Sequence, residues 1–184
     1  MANQRITELT ELAVEPAVDD VLPLVDLDVL TTKKIKWQTL KLFIPRYIYK
    51  SADETVNNST VLQNDNHLVI PVLATEVIAF ELFLYASAPS NVPDFKCGWT
   101  VPAGCTMYWN KVTYAAVGGS NLVFTESTTD TDGLDNGVSS CRYYGVIFVG
   151  ANSGNVQFQW AQNTATAVDV ILKKGSNLLF WKLA

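Results

Sequence analysis

Between Glu76 and Ala86 the chain alternates with a period of two: Ile78, Phe80, Leu82 and Leu84 fall on one face, and Val77, Ala79, Glu81, Phe83 and Tyr85 on the other. Side chains of a strand point alternately to opposite sides, whereas a helix would spread these residues around its circumference. The segment is therefore a strand, and both of its faces are substantially apolar. Such a strand is either central in a sheet or lies where subunits meet. Other segments are apolar on one face only. Phe95, Cys97, Trp99 and Val101 alternate with Lys96, Gly98 and Thr100, and Val156, Phe158 and Trp160 alternate with Gln157, Gln159 and Ala161. These are the half-wet strands of a sandwich. Tyr143 to Val149 reads as a more continuous buried strand. Val168, Val170 and Leu172 lead through Lys173-Lys174-Gly175-Ser176-Asn177 into Leu178 to Leu183, which predicts a closing hairpin.

From residue 43 onward, clusters of Asn, Asp, Ser, Thr and Gly separate these runs, giving about eight strands, and no helical pattern exceeds a turn or two after residue 50. The expected fold is all-β: an antiparallel β-sandwich or jelly roll over residues 43–184, preceded by an extended N-terminal arm over residues 1–42. A length of 184 residues suits one domain with a short appended segment, and 48% hydrophobic residues can build a sizeable core. No apolar run approaches the roughly 20 residues of a membrane-spanning helix. The N-terminus lacks the apolar stretch of a signal peptide, so synthesis and folding in a cytoplasm are expected.

Charge is distributed unevenly. The chain has 13 Lys+Arg against 18 Asp+Glu, a net charge of -5, which disfavours nucleic acid as a partner. Residues 11–30 hold Glu11, Glu15, Asp19, Asp20, Asp26 and Asp28 without a Lys or Arg, and residues 31–50 hold Lys33, Lys34, Lys36, Lys41, Arg46 and Lys50 without an acid. The two stretches attract each other if the chain folds back, or if one is laid across a neighbouring chain. Val21-Leu-Pro-Leu-Val-Asp-Leu27 is apolar but contains a proline, which suits an edge strand or an extended docking segment. Lys33 to Leu42 reads as a short strand passing into a turn of helix.

Little in the chain points to catalysis. His67, the one histidine, has no Cys or second His at ligand spacing, and no Gly-x-Ser-x-Gly elbow accompanies it. No phosphate-cradling glycine loop occurs. Asp130-Thr-Asp132-Gly133-Leu-Asp135-Asn136-Gly137 carries oxygen ligands but departs from calcium-loop spacing, so it reads as a solvated loop tip. Asn57-Asn58-Ser59-Thr60 reads as a polar turn. Cys97, Cys105 and Cys141 read as buried free thiols, with a Cys97–Cys105 link as the alternative. No catalytic residue, metal or cofactor is expected, which leaves open only carboxylate pairs that folding alone could bring together. Of the five tryptophans, Trp99 and Trp160 share faces with Phe95 and Phe158 and are expected in the core. Tyr108 and Trp109 are the pair that could lie exposed near a strand end and contact a host-surface glycan, the basis of an alternative reading as a carbohydrate-binding module.

Ile6-Thr-Glu-Leu9, Asp19-Asp-Val-Leu-Pro-Leu-Val-Asp26 and Thr31-Thr-Lys-Lys-Ile35 together resemble the start of many tailed-bacteriophage structural proteins, tail fibres and head fibres included. Their pattern is similar to I-S-x-L, then D-x-L-P-[IV]-V-D, then T-K-K-[IV]. Thr7 stands here for the commoner Ser, and Leu27-Asp-Val-Leu30 for a small-residue turn. Asp53 to Asp65, Val77 to Tyr85, Pro93 to Gly104 and the closing Leu172 to Leu183 are similar to a domain of phage virion and prophage structural proteins, with Asn177 where an aromatic is common. The resemblance implies a non-enzymatic virion component: a capsid decoration protein, head fibre or short tail fibre, made in the host bacterial cytoplasm. It also implies a homotrimer whose N-terminal segment meets other virion proteins such as capsid or tail components. On that reading Leu22, Pro23, Leu24, Val25 and Asp26 dock or pair as an extended segment. Lys33 and Lys34 then hold the acidic half or an acidic capsid surface.

Overall fold

The computed structural model describes residues 17, 19–26, 31–41, 44–113, 123–125, 129–132 and 137–184. The chain divides into two compact units, Met1–Ile44 and Pro45–Ala184.

In the first unit, β1 (Val21–Asp26) pairs antiparallel with β2 (Thr31–Lys36), which runs directly into the five-residue helix α1 (Trp37–Lys41). The register sets Leu22 opposite Ile35, Pro23 opposite Lys34 and Leu24 opposite Lys33, so the acidic stretch does fold back on the basic one. A two-stranded ladder leaves each strand an open edge, which is where a proline such as Pro23 is tolerated. At the open end of the hairpin the Trp37 N–H donates to the Asp20 carbonyl at 2.7 Å, and Lys36 Nζ lies 3.7 Å from Asp19 Oδ1.

The second unit is all-β. Its strands are β3 (Arg46–Tyr49), β4 (Glu54–Val56), β5 (Gln63–Val72), β6 (Val77–Ala88), β7 (Phe95–Thr100), β8 (Thr106–Thr113), β9 (Val123–Thr125), β10 (Asp130–Asp132), β11 (Gly137–Phe148), β12 (Gly154–Gln162), β13 (Val170–Leu172) and β14 (Asn177–Lys182). One sheet has the order β10-β7-β12-β5 and the other β3-β14-β6-β11-β8-β9, with antiparallel pairing throughout. From β5 to β12 the chain changes sheet at every connection except β8 to β9. The two interleaved orders, 5-12-7-10 and 6-11-8-9, are the connectivity of a jelly roll. β14 and β3 widen the second sheet on the free side of β6, and β13 and β4 add to the same side. There are more strands than the alternation suggests because β4, β9, β10 and β13 have three residues each, too few to display a two-residue period.

Aromatic residues fill the space between the sheets. Phe80 of the second sheet meets Trp99 of the first edge to face at 5.3 Å, Trp99 meets Phe158 at 5.1 Å, and Tyr143 closes on Phe158 at 6.3 Å. The inner faces of β6 and β12 are the ones the alternation picks out: Ile78, Phe80, Leu82, Leu84, Val156, Phe158 and Trp160 are all buried. Cys97, Cys105 and Cys141 are not joined in disulfides; Cys97 and Cys105 are buried as expected, whereas Cys141 is only half-buried.

The closing segment is not a hairpin. β13 and β14 do not pair with each other; both pair with β6 on one edge, β13 at Ala86 and Ser87, β14 from Ile78 to Phe83. They are one interrupted strand from which Lys173 to Ser176 loops out. Gly175, at φ +88°, supplies the left-handed turn this requires, and the Ser176 hydroxyl accepts the N–H of Tyr85 at 3.0 Å. The Lys-Lys-Gly-Ser signal does mark a reversal of direction, but a local one, after which the chain rejoins the same neighbour.

Candidate functional site

The outer face of the second sheet is built from the residues that alternate with the core. On β6 these are Val77, Ala79, Glu81, Phe83 and Tyr85, on β14 Leu179 and Trp181, on β3 Tyr47 and Tyr49, on β11 Arg142, Tyr144, Val146 and Phe148, and on β8 Tyr108. The register sets Tyr47, Leu179, Glu81 and Tyr144 in one row across four strands. Tyr47 (70% exposed), Tyr49 (66%), Tyr108 (50%), Phe148 (44%) and Tyr85 (41%) make this a wet aromatic surface. At its centre Arg142 Nη2 lies 2.6 Å from Glu81 Oε2, and the guanidinium stands 5.2 Å from the Phe83 ring and 5.9 Å from the Tyr144 ring. The charge of Arg142 is thus balanced within the patch by Glu81, although the Arg142 Nε has no hydrogen-bond partner, and the aromatic rings around the pair are apolar or phenolic. A contiguous face of this kind is uncommon on a solitary soluble domain.

Tyr108 and Trp109 end up on opposite faces. Trp109 is 1% exposed and packs on Tyr143 at 5.6 Å between ring centroids, so it is a core residue and not half of a surface pair. Met107, Trp109 and Lys111 take the inner positions of β8, and Lys111 reaches the Thr131 carbonyl with its ammonium at 2.8 Å. Adjacent strand residues cannot both face outward, and the aromatic pair alone does not say which of them does. Any glycan contact on this strand falls to Tyr108, whose ring meets Phe148 at 6.3 Å.

The residues expected to attach the chain lie together in the N-terminal hairpin, Leu22, Pro23, Leu24, Val25 and Asp26 on β1 and Lys33 and Lys34 on β2. In the acidic loop Asp130 and Asp132 belong to β10, paired with β7, and residues 133–136 lie outside the described residues. Asn57 to Thr60 is a loop in which Asn58 takes a φ of 50° and Asn57 Nδ2 donates to Asp169 Oδ1 at 2.7 Å.

Among the described residues, one group has the makings of a metal site, and spacing along the chain gives no sign of it. Glu54, Asp65 and His67 bring ligand atoms within 4.8 Å of one another. A cation already stands there: the ammonium of Lys50 bonds Glu54 Oε2 at 2.9 Å and also bonds Asp65 Oδ2. His67 Nε2 lies 3.1 Å from the Ser51 hydroxyl, and its Nδ1 is buried without a hydrogen-bond partner. No helix among the described residues is long and apolar enough to cross a membrane.

No protein-family model and no curated protein matches the chain. Among solved structures it is similar to a chain in the structure of infectious bursal disease virus Gx strain, at TM-score 0.22 and 9% sequence identity, over 89% of this chain and 48% of that one. It spans about half the length of that chain, and at this score the overlap carries no argument about function.

Proposed function

We propose that the protein is a structural component of a bacteriophage virion, of the capsid-decoration, head-fibre or short tail-fibre kind, and not an enzyme. It assembles as a homotrimer through its β-domain and attaches to the particle through its N-terminal segment. The observation that carries this reading is the aromatic outer face of the second sheet, which a solitary domain would leave in water and a symmetric assembly covers with copies of itself. The N-terminal hairpin supports it, since the residues that resemble phage structural proteins form a separate small unit there.

Light scattering after gel filtration tests the assembly. A native mass of about 61 kDa, three times the 20.3 kDa chain, supports the trimer, and the mass of a single chain overturns it. Attachment is tested by replacing Lys33 and Lys34 with Glu. Loss of particle incorporation with the β-domain still folded is the expected result, and normal incorporation overturns the role given to the hairpin.

A further inference from the structure

The side chains of Lys50 and Asp65 are both 0% exposed and in direct contact, and Glu54 is 13% exposed against the same amine. A buried ion pair is costly to desolvate, and its retention inside a small β-sandwich calls for a reason. We propose that Lys50 and Asp65 condense spontaneously to an intramolecular isopeptide bond, with Glu54 carrying the protons.

Every component of that reaction is in place. The Lys50 backbone is fixed on both sides, its N–H donating to the Ser176 carbonyl at 2.8 Å and its carbonyl accepting from the Gly175 N–H at 2.9 Å. The amine contacts Asp65 Oδ2, so the carbonyl carbon it must attack is one bond beyond the atom it touches. The other oxygen, Asp65 Oδ1, accepts the backbone N–H groups of His67 and Leu68, each at 2.8 Å. Two preorganised backbone donors on this oxygen are what a tetrahedral intermediate needs where its negative charge develops. Glu54 is oriented by Gln63 Nε2 on Oε1 at 3.2 Å and by the Asn66 N–H on Oε2 at 3.3 Å, and its Oε2 faces the reacting nitrogen.

The chemistry balances without a further reagent. A proton passes from the Lys50 ammonium to Asp65 Oδ2, leaving a free amine and a carboxylic acid. Nζ forms a bond to Cγ, and the electron pair of the C=O bond moves to Oδ1, between the two N–H donors. Glu54 takes a proton from the nitrogen and returns it to the Oδ2 hydroxyl. The Cγ–Oδ2 bond breaks, water leaves, and the carbonyl re-forms at Oδ1. The product is a secondary amide: its oxygen keeps the His67 and Leu68 donors, its N–H faces Glu54, and one buried pair of charges is gone.

The position of the bond suits a covalent fastening. Lys50 immediately follows β3, the last strand of the second sheet, and Asp65 lies on β5, the last strand of the first. An amide between them joins the two sheets at one edge of the sandwich. β3 is also where the chain enters the sandwich from its N-terminal unit, so a pull on that unit loads this strand first.

The test is intact-mass spectrometry of the purified full-length protein, followed by tryptic digestion after denaturation. The expected mass is about 18 Da, one water, below that of the sequence, with no cleavage after Lys50 and no fragment ions separating residues 51 to 64. A full sequence mass, or release of the peptide Tyr47–Lys50, overturns the proposal. A loss of water that maps to any other segment also overturns it. Glu54→Gln is expected to fold, by near-ultraviolet circular dichroism, and to keep the full mass; closure in that variant at the wild-type rate overturns the part given to Glu54.

Discussion

Among the described residues, Asp53 is the one whose ionisation the fold most plainly alters. The Lys173 ammonium at 2.7 Å and, after it, the Lys174 backbone N–H, also at 2.7 Å, hold its carboxyl below the ordinary carboxylate range. A carboxylate held low in the folded state adds stability above the ordinary value and loses it as the pH falls through the lowered one. Asp53→Asn is therefore expected to lower the urea midpoint at neutral pH, and the gap to the wild type is expected to close as the pH is taken below about 4. A gap unchanged across that range would count against the pairing. The two partners are 120 residues apart in sequence, and nothing in the pattern around either one announces the other. The same holds for Lys50, Glu54 and Asp65: each reads as one polar residue among several, and only folding places them within bonding distance.

At the scale of the element, the strands with clear two-residue periods form where the pattern puts them, and their inner faces are the predicted ones. β6 takes the first of the two positions expected for a two-sided apolar strand, central between β14 and β11, and its outer face contributes to the exposed aromatic surface. β11 contains a tight contact that alternation does not reveal. A Cβ on Gly145 would lie 2.1 Å from the Tyr108 carbonyl oxygen and 2.9 Å from both Phe80 Cε1 and Trp109 Cα. Gly145→Ala is expected to cost about 3 kcal/mol, the upper end for overpacking, because the nearest obstacle is backbone and cannot turn away. Chemical denaturation measures this. β5 shows the opposite limit. Its register against β12 slips between Gln157 and Gln159, and Asp65 thereby turns inward in a segment, Asn64 to His67, that reads as a polar strand start.

At the scale of the whole molecule the exposed aromatic face is the feature to perturb. Glutamate at both Tyr49, which shares a row with Asn177 and Phe83, and Tyr85, two residues further along β6, places charge on this face without touching the core, and light scattering is expected to show the single-chain mass with an unchanged circular dichroism spectrum. Retention of the assembled mass would move the interface elsewhere. Local periodicity by itself determined that the chain is β and which faces of the long strands point inward, and the charge layout that an acidic stretch and a basic one would attract each other, within the chain or across a neighbouring one, because these follow from backbone geometry and charge within a few residues. Only the tertiary structure decided the jelly-roll order, the single interrupted strand formed by β13 and β14, the burial of Trp109, and the meeting of Lys50 with Asp65. Those depend on which sheet edges lie side by side and on where a register slips, and both are set by packing between segments far apart in the chain.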